Sequence, residues 1–446
     1  MSTPAAEPGS VLAPTLLVVV GLVFWVLAAV LALGAFELSA LAPYIQADAT
    51  ARLFLFVIDT IFLGIAVHNW GRTPTDVHGM GSPRRYVVLA SLFLVASNAA
   101  ILSDQFLPTW IGLEATTLAA APLILRAGAP ASIQASFRYF LFSSVGLGIA
   151  LLGLLCLEHP SVSGAPWQSV GLGLVILGYG TKLGLAPMYM WLPETYDEAP
   201  PPVTSMLAAI QFNVALVALI RVLQEYRVGN DQLVSNMLLG MGLASVALAT
   251  ASLIATTRLR RLIGYASIVH AGVIAIGLGV GGGAAYGVLL YAVSNAFIKA
   301  MLFLTAGKLE AAFDTRETEQ IRGVIKTMPF SGLFLMTGTF ALLGFPPFGS
   351  FVGELLILSG LVRSGYLMTF ATLGFLVSVT FVATGRTVFP MIWGQPQHPT
   401  PRIVRQSFVG FLPKLVFLVL LVILGLHLPD PINALFREVA VSLGDK

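Results

Sequence analysis

Charged side chains are scarce in this chain: they make up 10% of its 446 residues, while 57% are hydrophobic and the mean hydropathy is +0.88. Soluble domains carry about a quarter charged residues. A soluble chain this apolar would lack the polar groups to cover its own surface, so the composition identifies an integral membrane protein. The 44 glycines and 26 prolines fit transmembrane helices, which tolerate both. The net charge of +3 is small and scattered, which excludes a nucleic-acid-binding surface. Cysteine is nearly absent. Cys156, alone in an apolar run, excludes intramolecular disulfides, iron–sulfur ligation and a thiolate zinc site, so no metal or cofactor is expected and any redox chemistry belongs to partner subunits. Walker A, H-E-x-x-H and nucleophile-elbow patterns are missing. The run Gly277-Leu-Gly279-Val-Gly281-Gly282 matches G-x-G-x-x-G but follows a membrane helix and opens no βαβ unit, so it reads as a turn. The amino end lacks a basic n-region, and Leu12 to Leu33 is too long for a signal h-region, so this stretch reads as a retained helix.

Long apolar runs dominate what remains. A spanning helix needs roughly 20 mostly apolar residues, which gives an all-α polytopic membrane protein with about thirteen transmembrane helices. They begin near Leu12, Leu53, Tyr86, Leu107, Ile133, Ser169, Val203, Ser235, Leu262, Ala284, Met328, Leu367 and Gly410. The longest polar stretches, Gly71–Arg85, Lys308–Thr327 and Gln395–Gln406, are too short to fold alone. Counting Lys and Arg in alternate loops gives the orientation. The side of the amino end collects Arg72, Arg84, Arg85, Arg126, Arg258, Arg260, Arg261, Lys308, Arg316, Arg322, Lys326, Arg402 and Arg405. The other side collects Arg52, Arg227, Arg363, Arg437 and Lys446. The expectation is a cell (inner) membrane protein with a cytoplasmic amino end and an external carboxyl end.

Two spans are interrupted alike. The sixth reads GYGTKLGLAPMYMWLPE, with Lys182 before Pro187; the eleventh reads LLGFPPFGSFVGE, with Pro346 and Pro347 before Glu354. Proline removes an N–H and clashes with the preceding turn, so each helix should break in mid-membrane. The chain divides into residues 1–85 (first helices and loop), 86–230 and 235–393 (two five-helix halves), and 394–446 (loop and last helix). Both breaks fall on the fourth helix of a half. Because five is odd, the halves are inverted repeats, and paired broken helices in such repeats point to an ion pathway. The repeat rests on helix count and break position rather than on residue-by-residue similarity.

Ionisable groups inside apolar spans cost a few kcal/mol each on insertion scales, so each needs a reason. Glu114 and Lys182 lie on the second and fourth helices of the first half; His270, Lys299 and Glu354 lie on the second, third and fourth of the second. Titratable groups at intervals near the midplane resemble a proton wire more than one binding pocket. The alternative readings are a structural ion pair for Glu114 and Lys182, a satisfied core histidine for His270, and a packing pair for Lys299 and Glu354. Asp59, near the outer start of its span, reads equally as a partner-facing or helix-terminal group or as a conductor. Arg386 and Lys414, near helix ends, read as snorkelling cations.

The segment TKLGLAPMYMWLPETYDEAPPPVTSMLAA resembles the broken-helix region of antiporter-like subunits. That family includes the large proton-pumping subunits of complex I, Mrp-type sodium/proton antiporters and membrane subunits of group 4 hydrogenases. RRLIGYASIVHAG, AFIKAMLFLTAGKLE and GFPPFGSFVGELLIL match further family segments in order, so the resemblance covers roughly Tyr86 to Trp393, nearest in character to the hydrogenase-4 component F type. It implies that Glu114 is the family's essential glutamate, Lys182 the broken-helix lysine, His270 the central-axis histidine, Lys299 the second-half lysine and Glu354 the acidic end of the wire. Asn213 and Asn295 stand where several members carry lysine and histidine, and Tyr189 where histidine is usual, so Gln211, Asn213 and water would bridge the middle. The family usually has fourteen core helices, so thirteen implies loss of the first.

The resemblance implies a proton-translocating subunit of a multisubunit respiratory or hydrogenase-like complex. Separating Lys182 from Glu114 would weaken the lysine's hold on its proton, which passes toward His270 and Lys299. The chain has no redox site of its own, so a peripheral partner and further membrane subunits supply the drive. Alternatives are a cation/proton antiporter subunit, the proton-conducting membrane partner of an inorganic-carbon uptake complex, and a structural membrane scaffold.

Overall fold

Apolar runs with few charges leave backbone hydrogen bonding to be satisfied within helices, and helices are what form. The computed structural model describes residues 9–34, 45, 47–70, 82–158, 165–396 and 408–444. The first helices are α1 (Gly9–Ala32), α2 (Ala49–Trp70), α3 (Pro83–Leu102), α4 (Phe106–Ile124) and α5 (Pro130–Glu158). Then come α6 (Ala165–Leu183), α7 (Trp191–Glu198), and α8 (Pro201–Ser205), which runs through a π-helical turn, Met206–Gln211, into α9 (Phe212–Tyr226). The chain continues with α10 (Asp231–Ile254), α11 (Leu259–Val280), α12 (Ala285–Phe313), α13 (Val324–Thr327), α14 (Pro329–Leu342) and α15 (Gly349–Arg363). It closes with α16 (Leu367–Trp393), α17 (Phe408–Leu426) and α18 (Asp430–Ser442). Among the described residues there is no strand, only isolated bridges at Ile45–Ser103 and Arg258–Glu317.

Among the described residues, ten helices are long and apolar enough to cross a membrane. The other expected spans are α4, of 19 residues, and the two broken ones, α6–α7 and α14–α15. The segment Pro201–Tyr226 and α12 are buried along their central apolar stretches, while few residues of α1, α16 and α17 are fully buried. The fold is therefore a rod-like centre of α8–α9, α11 and α12 ringed by lipid-facing helices. Small residues let the backbones meet: a Cβ on Gly242 of α10 would lie 2.7 Å from the Gly272 carbonyl of α11.

The two breaks share one backbone design, 160 residues apart. In the first, Leu185 N–H donates to Gly180 O (2.8 Å) and Gly184 N–H to Thr181 O (3.1 Å); in the second, Phe345 N–H donates to Phe340 O (3.0 Å) and Gly344 N–H to Ala341 O (3.3 Å). Gly184 and Gly344 have φ of 75° and 67°. This is the Schellman stop, in which glycine takes the left-handed position that ends a helix. Phe340 and Phe345 supply its usual apolar clasp, with ring centroids 5.3 Å apart. The two breaks are thus alike in backbone bonds that the letters of the two segments do not display.

Several expectations change. Asp59 lies in the middle of α2, because the helix begins at Ala49 rather than Leu53, and it is buried. Lys414 is 2% exposed, with its ammonium 5.4 Å from the Phe334 ring centroid, so it does not snorkel. The stretch Lys308–Thr327 is not one loop: α12 runs on to Phe313 and α13 occupies Val324–Thr327. The carboxyl region contains a second helix, α18, whose Leu435, Phe436 and Val439 pack inward while Asn433 accepts a bond from Tyr286 (2.9 Å). The glycine-rich run, expected as a turn, is helical from Gly277 to Val280, the last turn of α11, and the chain turns only at Gly281, whose φ is 72°. There Arg227 donates to the carbonyls of Leu278 (2.7 Å) and Gly279 (3.0 Å). Most of Gly71–Arg85 and Gln395–Gln406, with Arg72, Arg402 and Arg405, and also Lys446, lie outside the described residues.

One end of the bundle is tied by charge. Buried Asp197, at the end of α7, accepts from Arg258 (2.9 Å) and faces Arg261 (3.5 Å). Glu198 pairs with Arg316 (2.9 Å), and Arg260 bonds Glu310 (2.8 Å) and the Ala199 carbonyl (2.5 Å). Residues counted from the sequence only as loop charges therefore bolt α7 to α11, α12 and the loop after it.

Candidate functional site

The break in α6 places Lys182 in the last helical turn, where carbonyls point past the helix end and favour a cation. The Thr181 carbonyl freed there is capped by the Trp191 indole N–H (3.0 Å). Trp191 in turn packs edge-on against Tyr139, with centroids 5.3 Å apart. Lys182 Nζ donates to Thr117 Oγ1 (2.7 Å) and the Tyr139 hydroxyl (3.3 Å), and lies 5.0 Å from the Tyr139 ring centroid.

Glu114 makes no ion pair with Lys182. It lies one turn before Thr117 on the same face of α4, where Ser144 of α5 donates to its Oε1 (2.7 Å) and its Oε2 has no hydrogen-bond partner among the described residues. Both amide atoms of Gln211 lie within 3.0 Å of the Tyr139 hydroxyl, and its Nε2 also reaches Thr116 (3.3 Å). Lys182, Tyr139 and Gln211 therefore form one buried hydrogen-bonded line. Gln211 closes the π-helical turn, a wide turn that recurs at functional sites. Asn213 turns away from that line: its amide donates to the Ala209 carbonyl (2.6 Å) of the same turn, and its Oδ1 is unpartnered among the described residues.

Lys299 meets α9 directly, its ammonium 4.3 Å from the centroid of Phe212, the residue after Gln211. His270 lies farther along: its Nδ1 bonds the hydroxyl of Tyr291, two turns from Lys299 on α12. Asn295, midway between Tyr291 and Lys299 on one helix face, is 2% exposed with both amide atoms unpartnered among the described residues, and Ser294 Oγ is likewise unpartnered. Glu354 reaches back from α15 to the second break, where a Cβ on Gly344 would stand 2.5 Å from its Oε2. Asp59 accepts a bond from Asn98 (3.0 Å). The structure brings Lys182 and Gln211 together and sets Lys299 beside them across Phe212; it does not join Glu114 to Lys182 or His270 to the first half by hydrogen bonds.

Sequence reasoning missed Thr116, Thr117, Tyr139, Ser144 and Tyr291. Thr117 was legible, since it shares a helix face with Glu114; Tyr139 and Tyr291 look like ordinary aromatic packing until their hydroxyls find partners. A hydroxyl donates and accepts at once, so it receives a proton on one lone pair and releases its own, which a backbone carbonyl cannot do. Among the described residues no His/Cys/Asp/Glu cluster has metal-binding geometry.

Comparison with known proteins follows the same lines. The chain is 27% identical over 422 residues to the hydrogenase-4 component F homolog of Methylacidiphilum infernorum, covering 87% of each chain. It is 26% identical to a Na(+)/H(+) antiporter subunit of Bacillus subtilis, covering 86% of this chain and 81% of that protein. Its fold matches a chain of the membrane-bound sulfane sulfur reductase, an archaeal respiratory membrane complex, with a TM-score of 0.84, 22% identity, and 97% and 92% of the two chains covered. These relatives are subunits of multisubunit membrane complexes. Residues 103–381 match the family described as NADH:quinone oxidoreductase/Mrp antiporter, TM, and the chain belongs to that family of antiporter-like membrane subunits.

Proposed function

We propose that this chain conducts protons across the membrane as one subunit of a larger complex, along an axis that includes Glu114, Lys182, Gln211, Lys299, His270 and Glu354. The observation that carries the reading is the buried line from Lys182 through Tyr139 to Gln211, set at a helix break inside the bundle. A lysine held by hydroxyls rather than by a carboxylate has no fixed counter-charge, so its proton is exchangeable. The orphaned amide of Asn295 supports continuation toward His270, since buried polar groups without protein partners are normally satisfied by water. The halves at 86–230 and 235–393 are the two conducting units. The arginine-rich end faces the cytoplasm, by the excess of cations on that side. Partner subunits supply the energy, since the sequence carries none of the motifs of a redox or nucleotide site.

The test is proton flux in inverted membrane vesicles containing the assembled complex, compared with the Lys182→Ala complex purified to the same subunit content. Flux below a tenth of the parent with intact assembly is the expected result. Unchanged flux would make Lys182 a packing residue and the subunit a scaffold.

A further inference from the structure

Arg386 lies on lipid-facing α16, seven residues before the helix ends at Trp393, and is exposed. At 1.5 Å per residue it is about 10 Å inside the helix end, a depth from which an arginine snorkels toward the head groups and meets their phosphates. It joins no ion pair among the described residues. It lines a cleft of about 680 Å³ between α16, the end of α10 and the loop before α13. Arg322 stands on the wall formed by that loop, anchored through its Nε to the Glu319 carbonyl (2.9 Å), and also lacks an ion pair among the described residues. Glu319 is at the exposed rim, so two guanidiniums against one carboxylate leave the cleft cationic. Thr256, Thr257 and Thr387 add hydroxyl groups to this end.

Farther along α16 the wall turns apolar. Phe375, Val379 and Val382 recur at helical spacing, and Phe375 and Val382 are 68% and 65% exposed. From Phe375 to Pro390 the cleft follows α16 for about 22 Å. Half of a bilayer with its head groups is about 20–22 Å thick. The cleft therefore has the length of one leaflet, with its charged end at the arginine-rich face and its apolar end toward the bilayer centre. We propose that it binds an anionic phospholipid, with the phosphodiester between Arg386 and Arg322 and an acyl chain along Phe375, Val379 and Val382. A free phosphate would leave the apolar length uncovered, and a zwitterionic lipid would not neutralise the guanidiniums.

The test is native mass spectrometry of the full chain in neutral detergent with equimolar phosphatidylglycerol and phosphatidylcholine. The expected result is a first bound lipid that is phosphatidylglycerol by about thirtyfold, the preference that two surface cations supply. Arg322→Gln/Arg386→Gln should abolish the preference while leaving phosphatidylcholine binding unchanged. Val379→Trp, which fills the apolar part, should weaken phosphatidylglycerol retention with both arginines in place. Equal retention of the two lipids by the parent, or an unchanged preference in the double variant, overturns the proposal. So does displacement of the lipid by inorganic phosphate, which would make this an anion site. Cross-linking of Ser378→Cys to another subunit in the assembled complex would give the cleft a protein occupant and overturn it as well.

Discussion

Lys182 faces Thr117 at 2.7 Å, while Glu114, one turn away on the same helix as Thr117, is held by Ser144 instead. The carboxylate and the ammonium thus lie near the same face of α4 without pairing. A hydroxyl holds the ammonium by a hydrogen bond without fixing its charge, whereas a paired carboxylate would oppose deprotonation. If Lys182 must release its proton for the subunit to work, arginine cannot replace it, because guanidinium stays protonated in proteins. Lys182→Arg should therefore assemble yet carry flux below a tenth of the parent in vesicles. Flux comparable to the parent would show that a fixed positive charge is enough.

The middle of the pathway gives a paired prediction. Gln211 bonds the Tyr139 hydroxyl, whereas Asn213 bonds its own helix at Ala209. Gln211→Leu should cut flux at least about tenfold by removing a link of the line, since an apolar side chain offers neither the phenol nor water a partner. Asn213→Leu should slow flux less and change stability by less than about 1 kcal/mol, since one side-chain bond to a helical carbonyl is lost while the unpartnered Oδ1 is removed with it. Asn213→Lys should be tolerated, with Gln211 and water solvating the ammonium. Flux and thermal unfolding of the same three preparations separate these outcomes. A larger flux loss in Asn213→Leu than in Gln211→Leu would move the pathway to Asn213.

The legible parts of this molecule are those set by local chemistry. Apolar runs of membrane length locate the spans, and Pro187 and Pro346–Pro347 locate the breaks, because a missing N–H acts wherever it occurs. The common stop at Gly184 and Gly344 is harder to see: the segments GLAPM and GFPPF share only glycine and proline, while the likeness lies in backbone bonds. Asp59 reads as lying near a helix start because α2 opens with Ala49, Thr50, Ala51 and Arg52 before its apolar run. Burial of Lys414 depends on α17 packing against Phe334 of α14, which no local pattern encodes. Tyr139 is hidden for the same reason: its partners come from three helices.

The charged end should matter for stability. Asp197 is fully buried and faces Arg258 and Arg261, with its Oδ1 unpartnered among the described residues. Asp197→Ala would leave two arginines without that carboxylate. Both are more than a third exposed and partly hydrated, so the cost is nearer that of a lost charged hydrogen bond, about 1–3 kcal/mol, than that of a stranded buried ion. Thermal unfolding of the full chain should show a lower midpoint, with Lys182-dependent flux per assembled complex retained. An unchanged midpoint would mean that Glu198 and Glu317, which also face Arg258, carry the joint without Asp197.

The second break offers a test of how Glu354 is held. Gly344 has φ of 67°, and a Cβ there would stand 2.5 Å from Glu354 Oε2. Gly344→Ala therefore meets two costs: about 1–2 kcal/mol for a left-handed alanine, and displacement of the carboxylate. Only the second depends on Glu354, so a double-mutant cycle isolates it. Glu354→Ala removes the obstructing oxygen, and the pair Gly344→Ala/Glu354→Ala should be less destabilised than the sum of the single changes by about 0.5–1 kcal/mol or more. The parallel change at the first break, Gly184→Ala, meets only the flexible Leu192 side chain (2.5 Å) and should add to Glu354→Ala without coupling, since the two breaks share no partner. Unfolding midpoints of the five variants decide the matter. Simple additivity in both cycles would mean that the Glu354 carboxylate moves freely away from Gly344, and that the second break does not hold it in place.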